Sequence, residues 1–182
     1  MDGPYYIEWE LEGFDCNGNL IHYYKSPNLQ VNTGKIENLK WIGNLATTSP
    51  SGFIFLGYGP SSFTPAVGDT RLGGSIGYEY IGNGSRPAIT NWTQSAETVT
   101  QGGFTFTEKL TGSLTINGST DLNANSVGAP IQSYALFNTY VLPGTPTGTS
   151  GLMFNELVDS TQFLLKNGVD FSTQSVTIVI RQ

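Results

Sequence analysis

Reactive side chains are scarce in this sequence. A single cysteine, Cys16, excludes an internal disulfide and any multi-cysteine zinc site. A single histidine, His22, means that a Ser-His-Asp or Cys-His triad would have to be built on that one residue. Charge is sparse too: Asp, Glu, Lys and Arg make up 12% of the chain, about half the usual share. Eight basic residues are scattered singly among fourteen acidic ones, for a net charge of −6. That balance argues against sequence-blind nucleic-acid binding, which needs a neutralising Lys/Arg surface. No apolar stretch approaches the roughly 20 residues of a membrane-spanning helix. The start, Met1-Asp2-Gly3-Pro4, lacks the basic and apolar regions of a secretion signal. The expectation is a chain made in a cytoplasm, with neither membrane nor nucleic acid among its partners.

What is present is scaffold. The 182 residues suit a single domain, and 38% hydrophobic with 12% aromatic residues can sustain a packed core. Twenty-three glycines and many Ser, Thr and Asn point to short strands and frequent turns. Tyr5, Ile7, Trp9 and Leu11 alternate with Tyr6, Glu8 and Glu10, the period-two pattern of a half-buried strand. Asn17-Gly18 is a tight-turn signal, and Leu20 to Tyr24 returns as the second strand of a hairpin. The spacing predicts one short helix from Thr33 to about Leu45, on Ile36, Leu39, Trp41 or Ile42, and Leu45. Phe53 to Leu56 reads as a strand buried on both faces. Further strands are expected around Tyr78, over Trp92–Thr100 and Phe104–Ile116, at Tyr134–Asn138, at Gly151–Val158 and at Ser175–Gln182. Eight to eleven strands in total give an all-β, mainly antiparallel fold, a β-sandwich or jelly-roll-like domain spanning residues 1–182. Within it, residues 1–26 read as an N-terminal hairpin or arm, dispensable for folding, and 27–182 as the main sandwich.

Each chemical motif meets a simpler reading. Asp15, Asn17 and Asn19 imitate the start of a calcium loop, but Leu20 and Ser26 stand where its Gly and Glu belong. Gly57, Gly59, Gly73 and Gly74 lack the Lys-Ser/Thr of a P-loop and the following helix of a dinucleotide fold. Glu8, Glu10 and Glu12 share one strand face, as solvated carboxylates do, although acids for glycoside hydrolysis can also pair in space. Trp9, Trp41, Trp92, Tyr78 and Tyr80 can form a sugar-stacking platform, or they can fill a core. Asn83, Asn91 and Asn117 head glycosylation triplets in the number that composition alone produces. No catalytic, cofactor-binding or metal-ligating residue is assigned, and no cofactor is expected.

Several short pieces carry a resemblance. They are Asn28-Leu29, Asn32-Thr33-Gly34, Ile54-Phe55-Leu56-Gly57-Tyr58-Gly59, and Pro65 with Gly68-Asp69-Thr70-Arg71-Leu72. Leu136-Phe137-Asn138, Gly151-Leu152-Met153 and Val176-Thr177-Ile178-Val179-Ile180 complete the set. Together they resemble a β-rich domain of tailed-bacteriophage virion proteins, including tail-collar fibre N-terminal domains. The resemblance covers about residues 28 to 182, and Ala135 stands where the family has a glycine. It implies a non-enzymatic virion protein that docks onto tail, neck or capsid proteins as a symmetric homo-oligomer, after synthesis in the host cytoplasm. No fibre shaft follows Gln182, so an adaptor, neck or capsid-decorating subunit is expected. The motif residues it marks are Gly57, Gly59, Asp69, Thr70, Leu72, Leu136, Phe137 and Asn138. For contact with neighbours, Tyr5, Ile7, Trp9 and Leu11 and the loop Asp121 to Pro130 are the expected surfaces. The alternative function is a carbohydrate-binding module for a surface glycan.

Overall fold

The computed structural model describes residues 6–27, 29–30, 32, 34, 36, 52–59, 64, 66–70, 72, 79–122, 130–142, 151–165 and 172–182. Alternating side chains and turn glycines produce nine strands among them. These are β1 (Tyr6–Phe14), β2 (Leu20–Pro27), β3 (Leu29–Gln30), β4 (Phe55–Gly59), β5 (Thr93–Gln101), β6 (Phe104–Asn117), β7 (Ile131–Phe137), β8 (Met153–Phe163) and β9 (Thr173–Arg181). A five-stranded sheet has the order β2-β1-β9-β6-β5, and a four-stranded sheet the order β3-β8-β7-β4. All pairings are antiparallel. The fold is an all-β, sandwich-like pair of sheets.

Period two decides the interior. On β1 every second residue is buried, and Ile7, Trp9 and Leu11 meet Val176 and Ile178 of β9 and Ile116 of β6. Across the gap they face Leu56 and Tyr58 of β4, Tyr134 and Leu136 of β7, and Leu157 of β8. Each aliphatic side chain fully buried here stabilises the fold by roughly 1.5–3 kcal/mol relative to exposure. The tilted pair Trp9–Tyr134, with ring centroids 6.2 Å apart, joins the two sheets at the centre.

The N-terminal hairpin is not an arm. β1 lies inside the five-stranded sheet and pairs with β9 over nine residues, from Tyr6↔Arg181 to Phe14↔Thr173. The two ends of the chain therefore close the sheet together, and a sandwich without β1 would lose Trp9 and Leu11 from its centre. The hairpin turn itself follows the sequence: Gly18 adopts φ 81°, a conformation natural to glycine. The Asp15 carboxylate accepts hydrogen bonds from the backbone N–H groups of Asn17 and Asn19, each at 2.9 Å.

β4 and β7 are buried on both faces. Tyr134 and Leu136 point into the inter-sheet core, whereas Ala135 and Phe137 join Leu72 and Met153 in a second cluster behind the sheet. Of the expected helix, Gly34 and Ile36 are helical, as is Asn32 just before it, and the remainder lies outside the described residues. The strand expected around Tyr78 also begins outside them; Ile81 makes an isolated bridge to Leu122 instead.

Candidate functional site

Three of the motif residues, Gly57, Leu72 and Phe137, meet behind the four-stranded sheet, whereas Leu136 faces the inter-sheet core. Gly57 on β4 pairs with Ala135 on β7, and Phe55 pairs with Phe137. A Cβ added to Gly57 would sit 2.7 Å from the Phe137 ring and 3.0 Å from the Glu79 carboxylate. Glycine there is a space requirement. Leu72 packs with Ala135, Phe137 and Met153. Gly59 accepts a hydrogen bond at its carbonyl from the Ser133 hydroxyl, at 3.3 Å. Asn138 ties the β7 and β8 ends together, its side-chain oxygen accepting from Leu152 N at 2.6 Å. Asp69 closes a loop by accepting from Ala66 N at 2.7 Å, and Thr70 is exposed.

At the centre of this convergence stands an ion pair that no motif signalled. Arg86 Nη2 donates to Glu79 Oε1 at 2.6 Å and Arg86 Nε to Oε2 at 2.8 Å, a fork gripping one carboxylate. Both side chains are nearly inaccessible, at 1% and 4%. The guanidinium carbon lies 3.5 Å over the Phe137 ring centre. Arg86 Nη1 also donates to the Thr139 carbonyl at 3.2 Å, so the pair pins the segment after β7. The only available sequence signal was an Arg between turn residues in Ser85-Arg86-Pro87 and a Glu between tyrosines in Tyr78-Glu79-Tyr80.

The expected contact surface is corrected. Ile7, Trp9 and Leu11 are 4%, 0% and 0% exposed, because β1 is flanked on both sides and its apolar face is the sandwich interior. Tyr5 lies outside the described residues, as do residues 123–129 of the Asp121 to Pro130 loop. The β1 face open to solvent is that of Glu8, Glu10 and Glu12, and it carries ion pairs. Lys25 meets Glu8 at 2.9 Å, Glu8 meets Arg181 at 3.5 Å, Arg181 meets Glu97 at 2.7 Å, and Glu97 meets Lys109 at 3.1 Å. Arg181 and Lys109 are direct cross-strand partners, a like-charge pair that Glu97 reaches over from β5 to neutralise. The Arg181 and Lys109 hydrogen bonds hold the Glu97 carboxyl below its ordinary pKa.

His22 does have an acidic partner, but not a triad. Its Nε2 lies 2.8 Å from Asp159 Oδ2 and 3.4 Å from the Thr161 hydroxyl. A triad places carboxylate and nucleophile on opposite ring nitrogens. Here both contact the same one, and Thr161 Oγ1 donates directly to Asp159 Oδ1 at 2.5 Å. The imidazole stacks on Phe163 with centroids 4.9 Å apart. Since β2 belongs to one sheet and β8 to the other, the arrangement is a latch between sheets, seconded by Tyr24 donating to the Val158 carbonyl at 3.1 Å.

The remaining candidates among the described residues are structural as well. Trp9 and Tyr80 are buried, and Trp92 is partly buried against Gly112, so these members of the sugar platform are committed to packing. Trp41 and Tyr78 lie outside the described residues. The Asp15 carboxyl, held below its ordinary pKa chiefly by the Asn19 side chain, serves its own turn. Among the described residues no group of three or more His, Cys, Asp or Glu is placed to hold a metal ion. A cleft of about 240 Å³ opens between the segment from Ile81 to Pro87 and β6, floored by Tyr58, Leu114 and Ile116 and edged by Asn83 and Asp121. Burial raises the Tyr58 phenol pKa, which keeps its hydroxyl a donor, at 2.7 Å, to the Asp121 carbonyl.

No family model matches the chain, and no curated protein or solved structure matches it.

Proposed function

We propose that this chain is a non-enzymatic structural subunit of a tailed-phage virion. It docks onto tail, neck or capsid proteins as an adaptor, fibre-anchoring or decorating subunit, and it assembles as a symmetric homo-oligomer. The observation that carries this reading is where the polar chemistry goes. Arg86–Glu79, His22–Asp159 and the Lys25–Glu8–Arg181–Glu97–Lys109 chain each serve to join one part of the fold to another. What the described residues offer outward includes sheet edge. Among the described residues β5 has a ladder partner on one side, β6, and most of its nine residues are exposed. An open strand of that length is a template for pairing with another chain. The family-like motif residues support the same reading, because Gly57, Leu72, Phe137 and Asn138 act in packing and in tying strand ends.

Light scattering on the purified protein and mass spectrometry of purified virions test the proposal together. Expected are a discrete oligomer and a fixed copy number per particle. Thr98→Lys, which places a charge on the open β5 strand, should leave the fold intact and reduce the oligomer to monomer. A monodisperse wild-type monomer that is absent from particles would overturn the reading.

A further inference from the structure

The sequence places a glycine after three of the described asparagines, Asn17, Asn83 and Asn117, and the fold treats the three pairs differently. We infer that Asn83 is a site of spontaneous deamidation, and that the fold suppresses the same reaction at Asn17 and Asn117.

In this reaction the backbone nitrogen of the following residue attacks the asparagine side-chain carbon. The new C–N bond closes a succinimide ring and the side-chain amide leaves as ammonia. Water then opens the ring at either carbonyl, giving aspartate or isoaspartate. Glycine favours the attack because it has no Cβ to hinder it and moves freely in φ and ψ. The attacking N–H must also be released from any hydrogen bond it makes, which a folded chain resists.

At the first pair that N–H is engaged. Gly18 N donates to the Asp15 carbonyl at 3.0 Å, and Asn17 N is itself held by the Asp15 carboxylate at 2.9 Å. At the third pair Gly118 is buried and its N–H donates to the Ser172 carbonyl at 2.9 Å. Both nitrogens are held by the fold. At the second pair Gly84 N makes no hydrogen bond among the described residues. Asn83 and Gly84 are both exposed, Gly84 has φ 72°, and nothing lies within 4 Å of where its Cβ would be. The Asn83 side chain is held by one long hydrogen bond, from Nδ2 to Asp121 Oδ1 at 3.2 Å.

The reaction has a structural consequence. It replaces a donor to Asp121 with a second carboxylate, so an attraction becomes a like-charge contact. Asp121 is a junction: its Oδ2 accepts from Asn117 N at 2.8 Å, and its carbonyl accepts from Gly82 N at 2.9 Å and from the Tyr58 hydroxyl at 2.7 Å. Deamidation at Asn83 therefore loosens the strap between the turn at 82–84 and the turn at 117–122, at the edge of the cleft.

The test is incubation of the native full-length protein at mildly alkaline pH, with peptide mapping and enzymatic isoaspartate labelling over time. Asn83 should convert several-fold faster than Asn17 and Asn117. A parallel incubation in denaturant should bring the three rates together, since each asparagine precedes a glycine. If Asn17 or Asn117 converts as fast as Asn83 in the native protein, the inference fails. It fails equally if Asn83 reacts only in denaturant. The consequence is read separately: Asn83→Asp should melt below wild type at neutral pH, and Asp121→Asn in that background should recover part of the loss. An unchanged melting temperature for Asn83→Asp would remove the strap from the account.

Discussion

On the outer face of the five-stranded sheet, Lys25, Glu8, Arg181, Glu97 and Lys109 pair in sequence across all five strands. Behind the four-stranded sheet the Arg86–Glu79 pair lies dry against Phe137. The chemistry is the same and the setting is not. Exposed pairs gain little, because water and salt screen them and long side chains lose freedom in holding one geometry. A buried pair has a large desolvation cost to offset, so it persists only where fork geometry and further hydrogen bonds satisfy it. The fold is therefore more sensitive at the buried Arg86–Glu79 pair than along the outer face of the larger sheet, which spreads its charges over five strands.

Mutation can break that comparison in graded steps. The largest effect is expected for Arg86→Ala, which leaves a buried carboxylate without its guanidinium and should cost about 3–5 kcal/mol in chemical denaturation. The double change Arg86→Met with Glu79→Leu should recover much of that loss. If the double variant is as unstable as the single one, the pair is needed for more than charge balance. Gly57→Ala comes next, because its Cβ meets the Phe137 ring and Glu79; a loss of about 1–3 kcal/mol is expected from overpacking. His22→Ala probes the intermediate setting, a histidine 10% exposed on a fully buried Asp159. Loss of that cross-sheet hydrogen bond should cost about 1–2 kcal/mol, and Tyr24→Phe, which removes the neighbouring tie, less.

The smallest effect belongs to the partly exposed network. Glu97→Gln should lower the melting temperature slightly at low ionic strength and not measurably in concentrated salt. Its pH dependence has a definite sign. The Glu97 carboxyl is held below its ordinary pKa by Arg181 first and Lys109 second. Its contribution is thus fully present above the ordinary carboxylate pKa and disappears as pH falls through the depressed value. Wild type and Glu97→Gln should therefore converge in acid, and a gap that widened there would contradict the assignment.

Much of the strand pattern was legible in the sequence. β1, β6, β7, β8 and β9 fall where alternation, apolar runs and Asn-Gly turns placed them. The double burial of β4 was readable from the continuous apolar run Phe53 to Leu56, since a strand covered on one face shows alternation; that of β7 emerged only with the second cluster behind the sheet. β3 was not, because two residues carry no periodicity. The Arg86–Glu79 pair was hidden because an arginine among turn residues looks like any solubilising charge. His22 and Asp159 are 137 residues apart, and no local pattern links a strand at one end of the chain to a strand near the other.

Trp9 shows the division most plainly. Its alternation with Glu8 and Glu10 sufficed to say that β1 has one apolar and one polar face, because side chains of an extended chain point to opposite sides by geometry. Whether the apolar face meets a partner or the chain's own core is a separate matter. Pairing with β9 and the approach of the second sheet decided it, contacts that local sequence does not encode. The sequence by itself thus determined the period, the turns, the low charge and the all-β class. Tertiary structure alone decided which faces are spent inside and which charges are paired.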